Sequence, residues 1–176
     1  MVIHIISDDN FFALGCEEAI KTCNTYKTKK IHPNSVSLEC MKQEITYDDV
    51  ALIATNSFFE TKKLLIILSC IGIRVLVFED FMIKKINDSV NKKACLKALL
   101  FKIERICSLN KPTYEKLTKR EVAVMNKILQ GKSMKSISTS LKISLNTAYT
   151  HKINAHVKIG IRRYKKTMKN RDYLLP

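Results

Sequence analysis

Sixteen of the chain's Lys and Arg side chains lie after residue 110 against three acids, Glu115, Glu121 and Asp172, which gives +13 over residues 111–176. Residues 1–110 hold fifteen against thirteen, or +2, and the two parts sum to the formal +15 of the 176-residue chain. Cations concentrated on one short segment suit a phosphate backbone, because each ammonium that neutralises a phosphate releases a condensed counterion. Charge kept for solubility spreads over the whole surface instead. A solvated basic tail fits poorly with the regular apolar spacing of the same segment.

Covalent chemistry has little to work with. His4, His32, His151 and His156 have no evident nucleophile neighbour, and the sequence contains no G-x-G-x-x-G, Walker lysine loop, G-x-S-x-G or H-E-x-x-H. Cys16, Cys23, Cys40, Cys70, Cys95 and Cys107 all precede the basic segment and include no C-x-x-C pair. They are expected to be buried, reduced thiols rather than metal ligands, which favours the cytoplasm. No cofactor and no metal are expected, with Asp8 and Asp9 as weak cation candidates. Even the strongest apolar run, 64–68, is far short of the roughly 20 residues of a membrane span, and no basic n-region opens the chain, so neither membrane insertion nor export is expected.

The elements that must position these groups follow from apolar spacing. Residues 2–6 are a β-branched run suited to a strand buried on both faces, and 50–54 and 73–78 read the same way. Helical spacing follows the first strand to about Cys23, and recurs over 60–70 and 91–109. The 91–109 stripe is expected to pack on the sheet, with part of it a minority candidate for a dimer contact. Residues 24–34 read as a polar loop and 35–38 as a weak second strand. Strands alternating with helices predict an α/β domain with a parallel sheet over 1–109.

Asp8-Asp9 closing the first strand, and Asp49-Val50-Ala51-Leu52-Ile53 leading through the third, resemble the receiver domains of two-component response regulators. The resemblance covers about residues 1–80. It implies an acidic pair holding Mg²⁺ and an aspartate at the end of strand three that accepts the phosphoryl group. The matching position here is Ala54, or Thr55 one residue on, and an acyl phosphate needs a carboxylate, so control by aspartyl phosphorylation is not expected and the receiver is degenerate. The resemblance also implies a fifth strand ending in a lysine, for which only Lys84 or Lys85 offers itself, poorly. Asp8 and Asp9 stay open between a relic, a helix N-cap pair and a weak cation site.

Residues 110–116, with Pro112, are the linker, and 117–176 form a second domain. Thr118 and Glu121 have capping-box spacing, Val122, Val124, Met125, Ile128 and Leu129 supply an apolar face, and Gly131 ends the helix. Ser133 caps a second helix with Ile137 and Leu141 inside. Ser144 caps a third, over about 144–159, and Gly160 ends it. Two short helices across a tight turn are the plan of a helix-turn-helix, whose second helix enters the major groove. With Ala148, Ala155 and Ile159 inward, Asn146, Tyr149, Thr150, Ile153 and Asn154 turn outward.

Leu117-Thr118-x-Arg120-Glu121, Gly131-x-Ser133, Ile137, Leu141-x-Ile143-Ser144, Thr147, His151, Asn154 and Lys158-Ile159-Gly160-Ile161 resemble the LuxR/GerE-type DNA-binding domain over about 55 residues. The departures are Ala148 and Ala155, where the family usually has Val and Ile. The resemblance implies an all-α four-helix domain, with Tyr149, Thr150 and Ile153 at base-reading positions. Lys135, Lys142, Thr147, His151, Lys152 and Lys158 are the phosphate-contact candidates. Residues 161–174 would be the fourth helix, which in the family supplies the dimer contact; their apolar stripe is thin. The expectation is a bacterial-type transcription regulator that binds double-stranded DNA as a homodimer, or as a heterodimer with another LuxR-type regulator, similar to auxiliary family members without a phosphorylatable receiver. The rivals are an interaction protein that sequesters a regulator without reading DNA and, more remotely, an enzyme.

Overall fold

The computed structural model describes residues 1–22, 26–79, 89–109 and 115–160. The chain divides into two compact units, Met1–Glu115 and Lys116–Pro176.

The first unit is built on five parallel strands in the order β2-β1-β3-β4-β5. β1 (Val2–Ser7), β3 (Val50–Ala54) and β4 (Arg74–Glu79) are the apolar runs, and the first two lie side by side with Ile3 opposite Val50 and Ser7 opposite Ala54. β-branched side chains suit a strand covered on both faces, and β3 is buried at every residue. Ile3, Ile5, Val50, Leu52, Leu76 and Phe78 of the sheet pack with Ala13, Cys16 and Ile20 of α1 (Asn10–Lys21) and Ile103 and Ile106 of α4 (Leu96–Ser108). Phe12 meets Phe78 edge to face at 4.9 Å. α3 (Phe58–Ile71) starts at the Ser57 cap, buries Leu64 through Ser69 and ends at Gly72, whose φ of +92° is the left-handed conformation that a side chain resists.

Three features correct the sequence reading. β2 (Lys27–Ile31) lies inside the segment expected to be a loop, as an edge strand parallel to β1. Its Lys-rich sequence hides it, because an edge strand with one solvated side needs no apolar run and charge there blocks further pairing. Residues 35–38 form no strand: a 3₁₀ turn (Pro33–Ser35) is followed by α2 (Leu38–Glu44), capped by the Ser37 hydroxyl. The stretch read as one helix from Asn91 begins instead with β5 (Ser89–Asn91), parallel to β4, and α4 starts at Leu96. Only Val90 of β5 is buried, too little to leave an apolar signature. Cys95 is accordingly exposed ahead of α4, Cys40, Cys70 and Cys107 are half-buried and Cys16 is enclosed; burial raises the thiols of Cys16 and Cys70 to about 11. Cys23, Lys84 and Lys85 lie outside the described residues.

The second unit is helical: α5 (Lys119–Leu129), α6 (Met134–Leu141) and α7 (Leu145–Lys158). Leu117, Val124, Met125, Ile128, Ile137, Ala148, Ala155 and Ile159 are buried. The expected fourth helix falls on residues outside those described.

Candidate nucleic-acid interface

Local hydrogen bonds set the three helices of the second unit. The Thr118 hydroxyl accepts from Glu121 N at 3.2 Å, while Thr118 N donates to Glu121 Oε2 at 2.7 Å, a reciprocal capping box. Gly131, at φ +74°, turns the chain after α5, and Ser133 accepts from Ser136 N to open α6. The turn between α6 and α7 runs through Lys142, the single non-glycine residue with positive φ (52°) among those described. Ser144 then accepts from Thr147 N at 3.0 Å and opens α7.

A long-range contact locks the two ends of the unit together. Lys158 Nζ lies 2.9 Å from Glu121 Oε2, and the Glu121 residue is 3% exposed. Burial alone would raise this carboxyl, but the Thr118 N–H and the Lys158 ammonium bring it below the usual glutamate range. Glu121 is the single acid in residues 116–160, which hold nine Lys and Arg. With that carboxylate enclosed and paired, the exposed ionised side chains of this stretch are all cationic.

The structure sorts the predicted contact residues. Tyr149 and Thr150 stand exposed and Ile153 half-buried on α7. The Thr150 hydroxyl donates to Asn146 O at 3.0 Å, so its proton is used within the helix and its oxygen remains able to accept. Lys135 and Lys142 are exposed, and Thr147, also exposed, shares a 2.8 Å hydroxyl contact with Ser144. His151 is half-buried. Lys152 and Lys158 are half-buried. Residues 148, 152, 155 and 159 recur at i, i+4, i+7 and i+11, so the Lys152 stem lies along the inward stripe with Ala148, Ala155 and Ile159. Burial there lowers its ammonium below the usual lysine value. Lys158 is committed to Glu121.

Two exposed apolar residues of α7, Leu145 (44%) and Val157 (69%), were not foreseen. Their i, i+4 spacing with Tyr149 and Ile153 was the available signal.

At the carboxyl edge of the sheet in the first unit, Asp9 caps α1 by accepting from Phe12 N at 3.0 Å, and Asp8 Oδ2 accepts from Asn56 N at 2.9 Å. Ala54 ends β3, and the Thr55 side chain meets Thr61 Oγ1 and Ser57 O. Lys92, directly after β5, donates to Asn56 Oδ1 at 2.8 Å and to Thr55 O at 3.3 Å. The lysine expected at the end of a fifth strand is thus Lys92, invisible earlier because β5 itself was. No group of three or more His, Cys, Asp or Glu suited to a metal ion occurs among the described residues, and none of the described helices is long and apolar enough to cross a membrane.

Residues 115–166 match the family described as GerE, bacterial regulatory proteins of the luxR family. This segment is a LuxR-type helix-turn-helix domain. No curated protein matches the chain. Among solved structures the chain is similar to response regulator StyR, at 16% identity over 92% of this chain and 93% of that one with a TM-score of 0.42. It is similar to response regulator ChrA of a heme-sensing two-component system, at 14% identity over 89% and 88% with a TM-score of 0.42. RcsB from Salmonella enterica serovar Typhimurium, bound to promoter rprA in the presence of BeF3⁻, covers 93% and 94% at 15% identity with a TM-score of 0.42.

Proposed function

We propose that this chain is a sequence-specific, double-stranded-DNA-binding transcription regulator of bacterial type, with α7 in the major groove and residues 117–176 as its DNA-binding domain. The observation that carries the reading is the enclosure of Glu121 against Lys158: it removes the one acid of residues 116–160 from the surface of a capped helix-turn-helix. A module that only sequestered another protein would need no such uninterrupted phosphate-seeking field.

Contacts are assigned accordingly. Tyr149, Thr150 and Ile153 face the bases, with Thr150 as an acceptor. Lys135, Lys142, Thr147 and His151 serve the phosphates. Lys158 ties the end of α7 to the start of α5, and the stem of Lys152 packs along the inward stripe. The regulator works as a homodimer or with another LuxR-type regulator, a reading supported by exposed Phe11 and Leu14 on α1 and exposed Leu96 and Phe101 on the neighbouring α4. Control does not run through an aspartyl phosphate, since Ala54 and Thr55 offer no carboxylate.

The test is the salt dependence of duplex binding by the full chain. With Lys135 and Lys142 each neutralising one phosphate in each subunit of a dimer, the slope of log affinity against log salt should be about −3.6, near −0.9 per phosphate. A slope shallower than about −2 would remove the DNA-binding reading.

A further inference from the structure

We infer that α7 selects A·T base pairs by apolar contact with thymine C5-methyl groups, through a ridge formed by Leu145, Tyr149 and Ile153. This rests on the DNA-binding reading and specifies what the helix reads.

Leu145, Tyr149, Ile153 and Val157 recur every four residues and form one continuous row along α7. Leu145, Tyr149 and Val157 are 44%, 45% and 69% exposed, and they are the exposed large hydrophobics of the second unit among the described residues. Single apolar side chains scattered over a surface are ordinary. Here they are collected on the one helix placed to enter a groove, on a module whose other exposed character is basic. That surrounding charge picks duplex DNA as the occupant over an apolar or basic protein face. The N-terminal part of a recognition helix reaches base edges, which places Leu145, Tyr149 and, at the start of the third turn, Ile153 at the bases and Val157 beyond them.

The polar groups of α7 point the same way. The commonest specific contact to a G·C pair is Arg or Lys bidentate to guanine O6 and N7. α7 contains no Arg. Of its two lysines, Lys152 lies on the inward stripe and Lys158 is held by Glu121. Thr150 spends its proton on Asn146 O. The helix therefore has no cationic fork for guanine, while it offers three apolar side chains where thymine alone of the four bases projects a methyl into the major groove.

The experiment selects sites for the full chain from a random duplex pool, then replaces thymine by deoxyuridine in the best site. The enriched half-site should be rich in T·A pairs. Each contacted methyl removed should weaken binding about fourfold, the worth of one buried methylene. Tyr149→Ala and Ile153→Ala should weaken binding to the thymine duplex but not to the corresponding deoxyuridine duplex, because the partner atom is already gone. Tyr149 is exposed, so its variant keeps the test valid if the half-buried Ile153→Ala disturbs folding. Deoxyuridine duplexes bound as tightly as thymine ones, or sites dominated by G·C, would each overturn the inference and leave the sequence-specific reading standing, whereas no enriched site despite a steep salt slope would overturn the inference and reduce the reading to non-specific duplex binding. No salt-sensitive duplex binding at all would overturn both.

Discussion

Glu121 does two jobs with one carboxylate: Oε2 closes the cap of α5 and meets the ammonium of Lys158 at the last residue of α7. Removing one partner of an enclosed pair leaves the other charge uncompensated, and the cap is lost as well. Glu121→Ala should therefore cost about 2–4 kcal/mol in urea unfolding of the full chain, from roughly 1 for the cap and the rest for the stranded ammonium. Lys158→Met keeps the capping box but leaves the more enclosed Glu121 carboxylate without its cation, so it should also destabilise the chain, by about 1–4 kcal/mol. A loss within error of zero would show that the pair contributes nothing to stability. The same pair ties the ammonium of Lys158, a phosphate candidate by its type, to the start of α5.

At the scale of the elements, the turn between α6 and α7 fixes how the recognition helix is presented. Lys142 holds a left-handed φ of 52°, a conformation that costs a non-glycine residue about 1 kcal/mol or more. It also carries an exposed ammonium beside the start of α7. Lys142→Gly separates the two effects. Stability should hold or rise by up to about 1 kcal/mol as the strain is relieved, less the extra freedom of the unfolded chain. Duplex affinity should fall, with the salt slope of the dimer flattening by about two, as one phosphate contact disappears from each subunit. A variant with unchanged affinity and slope would show that this lysine is solvated rather than bound to phosphate.

Over the whole molecule, two properties of the first unit bear on control. His4, 2% exposed in β1, lies 3.4 Å from Asp49 Oδ2, and Asp49 also accepts from Val2 N and from the Thr46 N–H and hydroxyl. Burial lowers the His4 pKa, and the Asp49 bond and charge only partly oppose it; Lys29 lowers it further while Glu44 raises it. The unfolded chain thus binds a proton near 6.5 that the native unit resists, so stability is complete above about 6.5 and is lost as pH falls below it, at no more than about 1.4 kcal/mol per pH unit. Urea midpoints between pH 5 and 8 should show this slope, and His4→Gln should flatten it. The second property is the absence of a carboxylate at Ala54 and Thr55. Acetyl phosphate with Mg²⁺ should leave intact mass and duplex affinity unchanged, and a mass gain of one phosphoryl group would reinstate control by phosphorylation.

What the sequence determined by itself is whatever rests on neighbours within a few residues. The caps at Thr118, Ser133 and Ser144, the left-handed Gly131 and the buried runs of β1, β3 and β4 were all legible, because hydrogen bonds three residues apart and apolar periodicity are written locally. So was the charge that marks one end of the chain. Tertiary structure alone decided the rest. β2 and β5 draw their order from the strands beside them and not from their own apolar content, and Lys92 became visible as a strand-end lysine only once β5 was in place. Lys158 and Glu121 meet across 37 residues, a distance no local pattern spans. Lys152 stands between the two: its place four residues after Ala148 on the inward stripe is written in the spacing, while the burial that lowers its ammonium exists only once α7 packs beside α5 and α6.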